Sequence, residues 1–547
     1  MTHRKKVTLW VIGSLIVFGA LVFTCADIVV SRIVQREVNK SLASLPIPGC
    51  EASCGNVQVF LFAGLAEVED LRFSFRGEPL HQHDTIRPGF ALALERLKVG
   101  HIFYTPLLKR NLLVDKIQVV QPSIELWVDE KRPEKSFPEM QDDGLNKLQD
   151  ALNRIALNEL RIDNAAMKFH SLSSKLDVAA DSCSFSACDF VYADSTFSYC
   201  DSIYKVQLGH ISLLTPDGLI RIETHDIAQR DAGDLTIGKT RIKHTVAKKA
   251  LGDRVKEPVT WIDMHIANVR LAAFNPIRKA LAQDYSLDNI AAVVSEANIF
   301  RDDRFKPKHP YRMPQEELMD MPVQLAIKNI DARINNLDIE VAIADENIGK
   351  LNMHDAHATI ANFTNKRGKT MSIEAKCPIE QGVADVNLAF TMNNDCDFRT
   401  KMRAVGVDGS FINTLLRPIT GITLGFELDT LDALYTGNRT KAEGVCRMLY
   451  HGLQVQVHKE DKIPFKAITA NAGFINSAAK NLLPKSNPST VDIHPRAYKV
   501  EAKRDEMMFF PIYMMMPIIN GAVKTFLPGL FVHCEVHHPD FETAHTK

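Results

Sequence analysis

Residues Val114–Asp129 read VDKIQVVQPSIELWVD. Apolar side chains hold alternate positions: Ile117 and Val119, then, past a break at Gln121-Pro122, Ile124, Leu126 and Val128. An alternation of period two gives a strand one apolar face and one polar face. The phrase returns along the chain. NVQVFLFAG and VEDLRFSFRG carry it at Val57, Val59, Leu61 and at Leu71, Phe73, Phe75. FALALERLKVG, LNELRIDNAAMKFHS, KVQLGHISLL, WIDMHIANVRLAAF, LNMHDAHATIANFT, GITLGFELDTL and GLQVQVHKED repeat it. VQLAIKNIDARINNLDIEVAI adds Ile327, Ile330, Ile334, Leu337 and Ile339, with a bulge or turn near Asn335-Asn336. One-faced alternation is the mark of antiparallel sheet. The expected fold is therefore mostly β, antiparallel sheet with a few short helices. Irregular spacing between the phrases excludes a propeller or regular β-helix.

The bulk numbers suit folded protein: 547 residues, 46% hydrophobic, 24% charged, net charge −1. With 65 basic against 66 acidic residues, no basic excess marks a nucleic-acid partner. MTHRKK is followed by a segment without charge from Val7 to Ala26. About 20 such residues, at about 1.5 Å each, cross a bilayer core of about 30 Å. Trp10, Leu15, Ile16, Phe18, Leu21 and Phe23 are the candidate membrane-facing residues. The apolar run exceeds that of a cleaved signal peptide, so a retained anchor over 7–30 is expected. Arg4, Lys5 and Lys6 place the N-terminus in the cytoplasm and the body on the other side of the membrane.

A stalk helix is expected over 31–48, with Ile33, Val34, Val38 and Leu42 on one stripe. The body is expected to divide into a β module over 49–139, a middle region over 140–300, a charged proline-rich linker over 301–321 and a second β region over 322–505. Leu145, Leu148, Leu152 and Ile155 are spaced for a helix, and NPIRKALAQDYSLDNIAAVVSEAN offers two more helical turns. The tail 506–547 is apolar and Met-rich but broken by Pro511, Pro517, Gly521 and Pro528. Phe509, Phe510, Tyr513, Met514, Met515, Ile518 and Ile519 either pack as a core helix or form an apolar lip for lipid or a partner.

Signs of chemistry are few. There is no G-x-S-x-G, H-E-x-x-H or P-loop. His354 and His357, three apart in a strand, are expected to point to opposite faces and to be surface histidines. His81/His83 and His533/His537/His538 form loose clusters. Neither an enzyme activity nor a cofactor nor a metal is expected. Ten cysteines include no C-x-x-C pair; Cys50 with Cys54, and Cys183, Cys188 and Cys200, lie close enough in sequence to pair in an oxidising compartment or to remain thiols.

Two stretches, Asn56–Asp129 and Val405–Asp461, together with the anchor and stalk, resemble the AsmA-like family of bacterial envelope proteins. The resemblance implies an elongated curved antiparallel β-sheet, a groove with an apolar inner face, akin to chorein-type lipid-transfer proteins, on a bacterial inner-membrane anchor with the body in the periplasm. It also implies a role in lipid homeostasis or outer-membrane biogenesis. The partners would be phospholipid or another acyl-chain lipid, the inner membrane and other envelope proteins. Ile117, Val119, Ile124, Leu126, Val128 and the Ile327–Ile339 set are the candidate groove lining. The alternation itself allows a second cover, another apolar sheet, which would make the body a closed sandwich and a scaffold.

Overall fold

The computed structural model describes residues 24–43, 49–77, 87–107, 109–128, 154–173, 175–193, 196–198, 200, 204–230, 233–272, 274, 286–321, 325–458, 476–477, 480, 483–489 and 494–528. Long strands dominate them, and they fall into two compact units, Met1–Gly238 and Lys239–Lys547.

In the first unit, β1 (Cys50–Ser53) and β2 (Val57–Phe60) share one edge of β3 (Leu65–Arg76). The sheet continues through β4 (Gly89–Ile102), β5 (Asn111–Val128), β6 (Arg154–Ser171) and β7 (Asp177–Ala193). The short β8 (Thr196–Ser198) and then β9 (Tyr204–Leu214) pair with β7. β10 (Ile220–Arg230) and β11 (Leu235–Ile237) follow. A helix across 24–43 lies on the free edge of β2. It docks by a polar stripe at four-residue spacing: Asp27 Oδ1 and Ser31 Oγ accept from the N–H groups of Leu61 (2.8 Å) and Val59 (2.7 Å). Gln35 donates to Gly55 O, and Asn39 Oδ1 accepts from the Cys54 thiol. Side chains thus satisfy an edge that would otherwise invite another strand.

The second unit runs β12 (Thr240–His244), β13 (Val259–Leu271), β14 (Ser286–Asp302), β15 (Ala326–Ala342), β16 (Ile348–Thr364), β17 (Thr370–Ile379), β18 (Gly382–Thr391), β19 (Phe398–Asp408), β20 (Ile422–Gly437), β21 (Lys441–Val457) and β22 (Ala497–Lys503), neighbours in that order. The helix Phe510–Phe526 lies on β21 and β22. Gly521 permits the close approach: a Cβ there would stand 2.5 Å from the Cys446 Cβ and Sγ. Under this helix Phe398 meets Tyr435, Phe510 and Tyr513 edge to face. These residues belong to a buried cluster that extends from Met371 on β17 to Ile518.

On the polar face, Arg241 holds Asp263 with two hydrogen bonds, 2.9 and 2.6 Å. Those bonds bring the Asp263 carboxyl below its usual 3.8. A depressed carboxylate contributes stability above its unfolded value and loses it as pH falls through the folded one. Acid titration of the protein followed by circular dichroism is expected to show this loss beginning below 3.8. Asp263→Asn should remove that component; an unchanged acid profile in the variant would disprove it.

Four expectations need correction. The sheets are mixed: β5 with β6, and β14 with β15, run parallel. Parallel neighbours need a crossover, and residues 129–153 and 303–325 provide the length for it. The segment 301–321 is no exposed linker, because Arg301, Asp302, Met313 and Gln315 are all buried there. Arg301 stacks on Phe509 at 4.1 Å, and Arg304 bonds to Asp302. The unit boundary falls instead at 238/239. Of the stretch 275–298, where helical turns are expected, the described residues 286–298 are strand, part of β14, since Ile290, Ala292 and Val294 keep a period of two. Arg154 and Ile155, at the end of another expected helix, open β6.

Candidate functional site

The cross-strand registers turn the repeated phrase into surfaces. Phe75, Phe90, Leu126, Phe169, Val178, Leu213 and Ile222 are each paired with the next, an apolar row crossing seven strands. A second row reads Phe73, Leu92, Ile124, Met167, Ala180 and Ile211. Further along the strands come Val68, Leu97, Val119, Ile162, Phe185 and Val206, then Ala66, Val99, Ile117, Leu160, Ala187 and Tyr204. Of the first row only Phe75 is buried; the other six are partly open, and Met167 of the second row is 44% exposed.

Between the second and third rows every strand breaks its alternation. On β5 the apolar positions step from Val119 to Pro122, three residues, where strict alternation gives two. The same step runs Val68 to Leu71, Leu94 to Leu97, Ile162 to Ala165, Ala180 to Cys183, Leu208 to Ile211 and Thr224 to Ile227. Five of the strands place a left-handed residue at this step: Asp70, Gln121, Asn164, Ser182 and Asp226, with φ between 49° and 58°. All five are exposed. Short polar side chains tolerate this conformation better than branched ones do. On β9 the position is Gly209, where a Cβ would sit 2.6 Å from the Ser182 Cβ.

The result is a transverse seam, one added residue per strand on the polar side. Polar contacts flank it: Gln118 donates to Asp163 (2.6 Å), Arg96 pairs with Glu67 (2.8 Å), and His210 contacts Asp181 (3.1 Å) while stacking on His225.

The second unit repeats the device. Ile266 to Val269, Val294 to Ala297, Ile334 to Leu337 and Met353 to Ala356 are again three-residue steps, and Asp355 has φ 53°. In both units an antiparallel pair leads into a parallel pair of long strands, β4–β7 in one and β13–β16 in the other. The step is even written alike, Arg161-Ile162-Asp163-Asn164 and Arg333-Ile334-Asn335-Asn336. An apolar row here joins Leu271, Ile290, Ile330, Ile360, Ile373 and Leu388, all partly open, to Thr400 and Tyr435, which are buried in the sheet region under the helix Phe510–Phe526.

The candidate groove residues therefore share faces. Ile117, Val119, Ile124, Leu126 and Val128 lie on the apolar side of β5, with the break at Gln121-Pro122 as the seam. Ile330, Ile334, Leu337 and Ile339 lie on the apolar side of β15, with the irregularity near Asn335-Asn336 again the seam. Ile327 pairs with Phe363 beyond another step, at Asn362 (φ 55°). The same device corrects the reading of His354 and His357. The step at Asp355 puts both on the polar side, where they bond to Asn336 and Asp331 separately. Among the described residues no group of three or more His, Cys, Asp or Glu side chains is placed to hold a metal ion. His81/His83 and His533/His537/His538 lie outside the described residues.

The tail packs one side of its helix on the core and leaves the other side exposed. Phe510, Tyr513 and Ile518 are buried and Met514 packs against the core, whereas Ile512, Met515, Ile519 and Val523 form one stripe, each at least 40% exposed. Phe509 lies against Tyr311. Trp10, Leu15, Ile16, Phe18, Leu21 and Phe23 fall outside the described residues, as do residues 7–23 of the span expected over 7–30. No helix among the described residues is long and apolar enough to cross a membrane. The described part of the N-terminal helix exposes Ile28, Val29 and Ile33 and turns its polar stripe to the sheet. The expected stalk stripe thus faces outward at Ile33.

No family model matches the chain, and no curated protein matches it.

Proposed function

We propose that this chain is a non-enzymatic, membrane-anchored envelope protein that holds acyl-chain lipid against its apolar sheet faces, in the manner of the AsmA-like family it resembles. The observation that carries the reading is the continuous apolar row from Phe75 to Ile222, left partly open over seven strands. Six strand spacings of about 4.8 Å make such a row about 29 Å long, enough for an extended acyl chain. Each methylene buried there contributes about 0.8 kcal/mol. The seam adds a residue to the polar side of every strand, and bulges of this kind bend a sheet. A longer polar side favours curvature around the apolar side. Rows of similar side chains hold a chain at many points without one deep minimum, which suits transfer and needs no catalytic group.

Anchoring in the inner membrane, N-terminus inward, rests on the uncharged segment Val7–Ala26 behind Arg4, Lys5 and Lys6. The exposed Ile28, Val29 and Ile33 suit a helix that leaves lipid as it meets the sheet. The stripe Ile512–Val523 offers a second apolar surface for lipid or for another envelope protein.

The test is lipid retention. The full chain, purified from membranes and examined by native mass spectrometry and lipid extraction, is expected to carry phospholipid. Leu126→Asp or Phe169→Asp should reduce it at least about tenfold, the equivalent of about 1.4 kcal/mol. Glu125→Gln, on the polar face, should leave it unchanged. A folded protein that carries no lipid, and takes up none from phospholipid vesicles, would reject the groove in favour of a closed scaffold.

A further inference from the structure

We infer that Cys188 and Cys200 form a redox-responsive disulfide beside β7 of the first unit, where that strand passes from one edge partner to the next. Two strands occupy one edge of β7 in succession. β9 pairs with it from Asp177 to Ala187, and β8 from Val191 to Ala193. The changeover falls between the pairs Ala187–Tyr204 and Val191–Ser198. Asp189 of β7, in the left-handed region at φ 58°, lies in this interval.

Within this interval the Cys200 N–H donates to the Cys188 carbonyl at 3.3 Å. A backbone hydrogen bond between two residues sets their Cα atoms at about the 4.4–6.8 Å separation that disulfides span. Cys188 directly follows Ala187, which lies on the apolar side, and is paired with Glu159, so it stands on the polar side of β7. Both cysteines are partly exposed and therefore open to a soluble oxidant. Cys183 is a poor competitor: it is buried, on the apolar side, and burial pushes its thiol pKa up. A link from 188 to 200 would close the segment containing β8 and join it covalently to β7.

The oxidant is a disulfide, such as oxidised glutathione or the active-site disulfide of an oxidoreductase. One protein thiolate attacks a sulfur of that disulfide, breaking its S–S bond and leaving a mixed disulfide. The second thiolate attacks the protein-bound sulfur and expels the other half. The protein loses two electrons and two protons; the oxidant is reduced, and its two thiolates take up those protons as thiols.

The full chain would be treated with oxidised glutathione, denatured, alkylated with iodoacetamide, digested without reductant and analysed by peptide mass spectrometry. The expected product is a Cys188–Cys200 cross-linked peptide, lighter than the two reduced peptides by two hydrogen atoms and lost on adding dithiothreitol. Cys188→Ser should return Cys200 to the alkylated or glutathionylated pool, and Cys200→Ser should do the same for Cys188. Full alkylation of both thiols in the wild-type chain, with folding verified by circular dichroism, would overturn the inference. So would Cys183 appearing as the partner of either.

Discussion

Tyr513→Ala is expected to destabilise the unit Lys239–Lys547 by about 3–5 kcal/mol, the usual cost of deleting a large buried aromatic side chain. Tyr513 is fully buried, its ring meets Phe398 and Phe510, and its hydroxyl donates to Asn438 O at 3.1 Å. Burial pushes its pKa up to about 12, so the phenol stays a neutral donor. The residue fastens the helix Phe510–Phe526 to the sheet, and its removal leaves a cavity at the centre of the aromatic cluster. Tyr513→Phe keeps the packing and loses one hydrogen bond, for about 1 kcal/mol. Urea unfolding followed by far-ultraviolet circular dichroism separates the two variants. Equal, small effects would show that the helix is not held by this cluster.

Deleting Gln121 should be as damaging, although the residue is exposed and touches no core. With Gln121 removed, Ile117 through Val128 alternate strictly, while β4 and β6 keep their extra residue. The pleat of β5 can then match its neighbours on one side of the seam only. On the other side either pairing is lost or the apolar set turns to the polar face, because a one-residue slip reverses every side chain. Three partly buried side chains, Ile124, Leu126 and Val128, are at stake, on the order of 4 kcal/mol at half the usual burial value. Gln121→Gly is the control. It keeps the residue count and suits φ 49°, so it should be near neutral. If the deletion proves as mild as the glycine variant, the seam is not structural.

The strands themselves were legible because burial on one face leaves a period-two trace in composition. The break at Gln121-Pro122 and the irregularity at Asn335-Asn336 were visible as interruptions of that trace. That similar interruptions align across seven strands was not, since alignment is a matter of register between segments far apart in the chain. His354 and His357 show the consequence: a rule for regular strands assigned them opposite faces, and one left-handed residue between them reversed the answer. The buried state of Arg301 and Asp302 was equally hidden. Their charges read as solvent-exposed until Arg304, Tyr311 and Phe509 supplied partners.

By itself, then, the amino-acid order determined which residues of each strand are apolar, that the alternation breaks at Gln121-Pro122 and near Asn335-Asn336, and that the chain is mostly β. Those are local properties, set by side-chain transfer between water and an apolar face. Tertiary structure alone decided that β5 and β6, and β14 and β15, run parallel, because one-faced alternation is identical in either direction. It also decided that the breaks fall into transverse seams, and that one face of the helix Phe510–Phe526 is buried while Ile512, Met515, Ile519 and Val523 remain open. Those outcomes depend on which segments meet, and no single segment carries that information.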